Sequence, residues 1–175
     1  MSYVLDTFCN ICSPEEFEEE VVDETREDIT GVGEGFSEMF LKEKDNLSLV
    51  LTYLEEFDFK IRRPAVQLMT YLLTNCVREV QQQLLDSHIG VSRMMDILSD
   101  TREVLRNDAL IMLFKVTKGN ANLQKIVAFE NAFDKLFEVM EAEGQSWQRG
   151  DFNQFHEGKG RGLEYNSFIN DRIVS

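Results

Sequence analysis

The sequence has few residues of the kinds that anchor covalent frameworks, metal sites or acid-base chemistry. Its 175 residues include three cysteines and two histidines. An odd number of cysteines without framework spacing excludes a disulfide scaffold and predicts a reducing compartment. The histidines, His88 and His156, lie far apart in the chain and near no nucleophile of a known elbow, so we predict no catalytic pair and no enzymatic activity.

Long apolar runs and positive charge are also scarce. No apolar run approaches the roughly 18 residues that span a bilayer, and the N-terminus lacks a basic region followed by an apolar core. The 18 Lys and Arg residues are outnumbered by 32 Asp and Glu, for a net charge of -14. Such a surface repels phosphate backbones and anionic lipid. We therefore expect a cytoplasmic protein without nucleic-acid partners or direct membrane insertion.

The negative charge is concentrated in one region. Residues 13–34 contain ten carboxylates and a single basic residue, Arg26, whereas residues 144–175 are neutral. The acidic run lacks the alternating ligands and central Gly of a calcium loop, so we interpret it as a solvated, disordered segment, with an acidic recruitment segment as the alternative. The 43% hydrophobic content of the whole chain is that of a globular protein.

Three segments have apolar residues at the i, i+3, i+4, i+7 spacing of an amphipathic helix. They are Leu47, Val50, Leu51 and Leu54; Val91, Met94, Met95 and Leu98; and Phe133, Leu136, Phe137 and Met140.

The segments between these stripes also repeat. Residues 60–74 align with residues 103–117 at an offset of 43, and a shorter helical segment follows each copy. A unit of three helices, a short one, a second one and a longer one, that recurs every 40-odd residues is typical of armadillo and HEAT repeats. We therefore predict an all-α armadillo/HEAT-type right-handed superhelical solenoid of about two and a half repeats.

Local signals refine this prediction. The apolar stretch 124–133, QKIVAFENAF, joins the first helix of a repeat to its second, with its apolar residues facing the neighbouring repeat and a corner at Glu130 and Asn131. Asp100, followed three residues later by Glu103, predicts a capping box. Pro64 is expected in the first turn of its helix, where its missing N–H costs little.

The ends of the chain divide it into four predicted segments. Residues 1–12 form the terminal helix of a preceding incomplete repeat, and residues 13–35 an acidic disordered insertion. Residues 36–144 hold the repeats, and residues 145–175 form a divergent polar, disordered tail without helical period. A repeat buries its apolar face only against neighbours, so we expect a piece of a longer array, or a truncated variant, with low stability.

Two short motifs have a chemical and a structural interpretation. Cys9 and Cys12 have the spacing of half a zinc site or of a redox pair, but Cys76 and the histidines are scattered, so we predict two buried helical cysteines and no metal or other cofactor. The glycine-rich run at residues 158–162 lacks the Gly-Lys-Ser/Thr ending of a phosphate loop and is interpreted as flexible tail.

The long helices offer a basic strip on this acidic protein. They lack the Trp and Asn ladder with which some armadillo proteins hold extended peptides. The strip could bind an acidic partner segment, or its charges could complement nearby acidic turns. The candidate protein-binding residues are Arg62, Arg63, Gln67, Arg102, Arg106 and Lys115, with Thr70, Thr74 and Lys118 beside them.

Three strings together resemble a known family. LEEFDF at residues 54–59, GVSRMMDILSDTREVLRND at 90–108 and QKIVAFENAF at 124–133, in this order and spacing, look like the armadillo-type head of the general vesicular transport factors, which are Golgi tethering proteins. The resemblance covers roughly residues 3–144, including the acidic insertion. After Gly144 the family continues with another long helix, where this sequence has its polar tail.

The resemblance implies a non-catalytic interaction module of a tether acting in endoplasmic-reticulum-to-Golgi and intra-Golgi transport, peripherally associated with Golgi and vesicle membranes. Members of the family form homodimers and bind Rab-family GTPases, SNARE proteins and Golgi coiled-coil tethers. The coiled coil and acidic tail of the family are absent here. The alternative is a truncated regulatory or inert variant that lacks tethering activity and exposes an apolar face.

Overall fold

A computed structural model of the protein describes residues 1–14, 31–87 and 89–154, and every regular element in these ranges is helical. The helices are α1 Ser2–Cys12, α2 Val32–Lys42, α3 Lys44–Tyr53, α4 Phe59–Asn75, α5 Val77–Asp86, α6 Gly90–Asp96 followed by a 3₁₀ turn Ile97–Ser99, α7 Glu103–Thr117, α8 Ala121–Phe129 and α9 Ala132–Gln154.

Helices that follow one another at the repeat distance pack side by side. Helix α4 packs on α7, α3 on α6 and α5 on α8, and α1 packs on α4 as α4 does on α7. Helices α1, α4 and α7 are thus the third helices of successive repeats, with α2, α5 and α8 as first and α3, α6 and α9 as second helices. The layered succession of helices that the sequence predicted is confirmed.

The first two apolar stripes form the core. The first stripe lies on α3 and at its C-terminal end, and each of its residues is at most 2% exposed: Leu47, Val50, Leu51 and Leu54. The stripe that begins at Val91 is buried as well. Both stripes lie beneath the third helix of their own repeat, α4 or α7. At roughly 1.5–3 kcal/mol for each fully buried side chain, these stripes supply much of the driving force for stacking.

The third stripe has the predicted helical period but a different environment. Ala132 and Val139 of α9 are buried, whereas Phe133 is 64% and Phe137 60% exposed. The interpretation that the apolar residues of 124–133 face a neighbouring repeat is therefore wrong for Phe129 and Phe133, which are exposed, whereas Val127 is buried. No third helix covers α9 among the described residues, and this leaves one side of its stripe in solvent.

Side-chain amides satisfy the free carbonyl groups at several helix C-termini. Asn75 Nδ2 donates to the carbonyl of Cys12 at the end of α1, at 2.9 Å. Gln81 Nε2 donates to Val116 O at 2.8 Å and to Lys118 O at 3.0 Å, at the end of α7. The last carbonyls of a helix have no partner within it, so these bonds cap one helix from another. The first bond ties the end of α1 to α4 of the next repeat, and the second pair ties the end of α7 to α5 of its own repeat.

Turn chemistry explains some of the helix boundaries. Asn131 adopts a left-handed conformation (φ 59°) between α8 and α9, which confirms the predicted corner. Asn120 Oδ1 accepts a hydrogen bond from the Leu123 amide and caps α8. The expectation for Pro64 is wrong, because α4 begins at Phe59 and Pro64 lies in its second turn. Its ring therefore removes one hydrogen bond within the helix.

Two predicted segment boundaries differ from the helix bounds. Helix α2 begins at Val32, inside the segment 13–35 that we expected to be disordered. Helix α9 continues through Gly144 to Gln154, since residues 132–154 contain no Pro and each of their two glycines, Gly144 and Gly150, costs a helix only about 1 kcal/mol. The expectations for residues 15–30 and 155–175 lie outside the described residues.

The contacts divide the chain into two units, Met1–Val139 and Met140–Ser175. The stack of α1 to α8 and the start of α9 form the first unit. The described part of the second is the remainder of α9. Among the described helices, none combines the length and apolarity required to cross a bilayer.

Candidate functional site

The six predicted binding residues lie on and beside two neighbouring helices. Arg62, Arg63 and Gln67 are on α4, Arg106 and Lys115 are on α7, and Arg102 precedes α7. Because α4 and α7 pack side by side, the fold brings the two groups together. The structure separates them into a set that bonds to Asp100 and a set that does not bond to Asp100 and is partly exposed.

Arg62, Arg102 and Arg106 converge on Asp100, which is 8% exposed. Arg62 Nη1 and Arg102 Nη2 both bond its Oδ2, the latter at 2.8 Å, and Arg102 Nε bonds its Oδ1 at 2.8 Å. Arg106 Nη1 donates to the backbone carbonyl of Asp100 at 3.0 Å. We refer to these four residues as the Asp100 cluster. It joins the start of α7 to α4.

The cluster also determines the ionisation of its carboxylate. Hydrogen bonds from the Arg102 side chain, supported by its backbone amide and by the charge of Arg62, lower the pKa of Asp100 from 3.8 to about 2, against the opposing effect of burial. The predicted capping box is wrong, because α7 has Arg102 at its N-cap position without a side-chain cap. Asp100 instead accepts the Arg102 amide in a turn and pairs with the arginines.

A second charged contact lies further along the same helices. Arg63 Nε is 3.5 Å from Asp108 Oδ2, across the α4–α7 interface. The guanidinium groups of Arg63 and Arg102 lie over the ring of Phe59, 5.8 Å and 5.4 Å from its centroid. Such cation–π contacts contribute about 0.5–1 kcal/mol at exposed sites.

The solvent-facing members of the predicted strip are Arg63, Gln67 and Lys115, which we call the α4–α7 strip. The side chain of Arg63 is 42% exposed, and Gln67 and Lys115 are partly exposed. Thr70 on α4 donates its hydroxyl to Val66 O, one turn earlier in the same helix. The strip therefore presents a cationic and amide surface beside a joint in which three arginines bond to a single acidic residue, Asp100.

The cysteines are structural. Cys9, Cys12 and Cys76 are all free and buried, as predicted for the first two. Burial, with smaller contributions from Asp6 and Cys12, raises the pKa of Cys9 to about 12, and burial is also the main cause that raises the pKa of Cys76 to about 11. These thiols are protonated at neutral pH and hence poor nucleophiles and metal ligands. Cys9 Sγ donates to Pro64 O at 3.2 Å.

Two apolar grooves open on the surface of the first unit. One, of about 620 Å³, lies among α1, α2 and α3 and is lined by Val4, Phe8, Phe36, Met39 and Leu49, among others. The other, of about 360 Å³, lies among α7, α8 and α9 and is lined by Leu110, Phe114, Val127 and Phe133, among others. Both grooves are too apolar to bind charged groups.

Several candidates from the sequence cannot be placed. His88, His156, the core of the acidic run at 15–30 and the glycine-rich run at 158–162 lie outside the described residues. Within the described ranges, no group of three His, Cys, Asp or Glu residues could hold a metal ion.

Sequence reasoning missed the pairing of Asp100 with the arginines and the capping amides Asn75 and Gln81. Asp100 was read as a helix cap because its role depends on Arg62, 38 residues earlier in the chain. A signal was nevertheless present, since Arg102 and Arg106 follow Asp100 and Arg62 occupies the preceding repeat. The amides carried no comparable signal, because a Gln or Asn on an amphipathic helix is more often solvated.

Comparisons with known proteins identify the relatives of this chain. No protein-family model matches it. The human general vesicular transport factor p115 is 48% identical over 146 residues, which is 83% of this chain and 15% of the human protein. Golgin candidate 6 of Arabidopsis thaliana is 42% identical over 110 residues, 63% of this chain and 12% of that protein.

A yeast protein and a solved structure are also similar to this chain. The intracellular protein transport protein USO1 of Saccharomyces cerevisiae is 27% identical over 124 residues, covering 71% of this chain and 7% of USO1. A crystal structure titled Uso1-2 superposes with a TM-score of 0.63 at 23% identity, over 82% of this chain and 21% of that one. This structural match supports the armadillo-like fold. The chain thus spans about a seventh of the human relative.

Proposed function

Because this chain belongs to the family of the general vesicular transport factors p115 and Uso1, of which it represents a part of the head, we propose that it is a non-catalytic interaction module of a vesicle tether. The proposed process is endoplasmic-reticulum-to-Golgi and intra-Golgi transport, at the cytoplasmic side of Golgi and vesicle membranes. The observation that carries the proposal is the 48% identity to human p115 over 83% of the chain.

The geometry supports binding rather than chemistry. Three of the six predicted residues, Arg62, Arg102 and Arg106, are bonded to Asp100, and the cysteine thiols are buried with raised pKa values. Stacked third helices instead present a long surface of side chains held by a rigid scaffold, which is how repeat proteins bind partners. As the family resemblance suggests, the proposed partners are a Rab-family GTPase, SNARE proteins or Golgi coiled-coil tethers, and a second copy of the chain.

We place the partner contact on the α4–α7 strip. Arg63, Gln67 and Lys115 are the predicted residues that remain open to solvent, and the charge of Arg63 and Lys115 suits an acidic partner segment. Arg62, Arg102 and Arg106 act indirectly, because their bonds to Asp100 hold α7 against α4. The strip is thus proposed as the recognition surface and the cluster as its support.

The test is binding of purified Rab GTPases and SNARE proteins to the chain and to the intact head of a relative. A double variant, Arg63→Glu with Lys115→Glu, is expected to weaken binding at least tenfold and to remove most of its salt dependence. Lys125→Glu, an exposed charge reversal on α8, serves as the matched control. Absence of binding by both the chain and the intact head would refute the interaction module.

A second candidate function has one specific observation in its favour. The exposed Phe133 and Phe137 on α9 and the groove beside α7 leave apolar surface uncovered in the described residues. This is the surface expected of a regulatory or inert variant that self-associates in place of tethering. Concentration-dependent light scattering that disappears in Phe133→Ser with Phe137→Ser would support it, and a monomer at all concentrations would exclude it.

A further inference from the structure

The loop between α3 and α4 exposes an aromatic side chain that neither the core nor the α4–α7 strip uses. Phe57 is 89% exposed, more than any other large apolar side chain in the described ranges. Phe59, two residues later, is 37% exposed with its ring beneath two guanidinium groups. The loop therefore presents two aromatic side chains close together, separated by Asp58.

The backbone of this loop is held on both sides of Phe57. Leu54 is fully buried, and its carbonyl accepts a hydrogen bond from Arg62 Nε at 2.7 Å. The carbonyl of Phe57 itself accepts from Arg102 Nη1 at 3.3 Å. Asp58 Oδ1 then accepts the Lys60 amide at 2.9 Å and caps α4. Since the base of the side chain is already ordered, inserting the ring into a partner requires little additional loss of entropy.

The repeat itself does not require an aromatic residue here. The equivalent turn of the next repeat, residues 99–101, reads Ser-Asp-Thr and directs its Asp100 into the α4–α7 interface. Both turns connect a second helix to a third helix of similar packing. The exposed ring of Phe57 is therefore an addition to the scaffold that contributes little to folding, because it stays in water in the folded as in the unfolded chain.

The charge around the ring indicates the kind of partner. Glu55, Glu56 and Asp58 flank Phe57 at its exposed side, and of these only Glu55 forms an ion pair in the described part of the chain, with Arg93 at 2.9 Å. The basic groups at the loop lie towards α4 and α7: Lys60 follows Asp58 in α4, and Arg102 is bonded to the Phe57 carbonyl and to Asp100. A bilayer with anionic lipid would repel this group of carboxylates, whereas lysine and arginine side chains on a protein would attract it. An aromatic anchor surrounded by complementary charge is the usual composition of an interface hot spot.

We propose that the loop at residues 55–58 is a docking element that inserts the Phe57 ring into an apolar pocket of a protein partner, with Glu56 and Asp58 pairing with basic side chains at the rim of that pocket. This inference rests on the proposed function and assigns to the module a contact separate from the α4–α7 strip. The loop lies at the start of α4, so one partner can contact both surfaces.

The first experiment identifies what the ring touches. The photoreactive analogue benzoylphenylalanine replaces Phe57 in the full chain, which is irradiated with Golgi membranes and cytosol, and the cross-linked peptides are sequenced. The same analogue at Phe129, which is 87% exposed on α8, is the matched control. We expect position 57, and not position 129, to cross-link a single apolar site flanked by Lys or Arg in a partner protein.

The second experiment measures the contribution of the loop to affinity for that cross-linked partner, purified. Phe57→Ala is expected to raise Kd at least tenfold and Glu56→Lys several-fold, with the second effect vanishing at high salt. Phe129→Ala is expected to leave Kd unchanged. Because Phe57 is exposed, its variant should unfold at the same urea concentration as the parent protein, which separates loss of binding from loss of fold.

Three results would overturn the inference. They are cross-linking of Phe57 to a second copy of the chain, Phe57-dependent sedimentation with vesicles containing phosphatidylserine, and equal cross-linking from positions 57 and 129. If Arg63→Glu with Lys115→Glu abolishes partner binding while Phe57→Ala has no effect, the docking loop is wrong and the interaction module stands. If no protein partner binds the chain or the intact head of a relative, both proposals fail.

Discussion

Helices α6 and α9 carry nearly the same apolar pattern in different environments. Val91, Met94 and Met95 of α6 are at most 4% exposed, whereas Phe133 and Phe137 at comparable positions of α9 are more than half exposed. The difference is the covering helix: α7 packs on α6, and no described helix packs in that place on α9. An apolar stripe thus shows which face of a helix can be buried. Whether that face is buried depends on a neighbouring helix that packs on it.

The largest expected difference in stability is between shortening a side chain in the buried stripe of α6 and shortening one in the exposed stripe of α9. Met94→Ala should lower the free energy of unfolding by about 2–5 kcal/mol, because the side chain is 2% exposed and its loss leaves a cavity. Phe137→Ala should change it by no more than about 0.5 kcal/mol, since Phe137 is 60% exposed. Urea unfolding of both variants measures the contrast. Equal losses would mean that α9 is covered in solution.

Detaching the covering helix should make α6 resemble α9. Asp100→Ala removes the carboxylate that holds Arg62 and Arg102, and we expect a loss of about 2–3 kcal/mol together with binding of an apolar dye to the uncovered α6 face. Asp108→Ala is the matched control. Its contact with Arg63 is longer and more exposed, so its removal should cost about 1 kcal/mol or less.

Acid should weaken the same joint without a mutation. The pKa of Asp100 is lowered from 3.8 to about 2, so its contribution is complete above about pH 4 and is lost as the pH falls through 2. Integrated over this window, the contribution is about 2 kcal/mol. In urea titrations from pH 5 to pH 2, Asp100→Asn should therefore show a smaller acid-dependent loss than the parent. Parallel curves would show that Asp100 does not titrate as described.

The smallest expected effect concerns the other end of α7. Gln81→Leu leaves the carbonyls of Val116 and Lys118 without their cap and should cost about 1–2 kcal/mol. Faster amide hydrogen exchange at the start of α8 should accompany this loss. Gln82→Leu, at an exposed neighbouring position, should be neutral within about 0.5 kcal/mol. If both substitutions behave alike, the buried amide is not a cap.

The candidate site could be predicted from the sequence only in part. The alignment of Arg63 with Arg106 located two basic helices correctly beside each other, because the repeat implies that α4 and α7 stack. It could not distinguish Arg62, which is bonded to Asp100, from Arg63, which faces solvent. That distinction depends on where the turn before α7 lies relative to α4, a relation between residues nearly 40 positions apart.

The sequence by itself determined the all-helical repeat, since the i, i+3, i+4 spacing and the turn residue Asn131 act within a few residues of chain. Only the tertiary structure decided that the stripe of α9 stays exposed and that Asp100 joins two repeats. The physical reason is one of range. Helix formation depends on near neighbours, whereas burial and charge pairing depend on segments that meet only when the repeats stack.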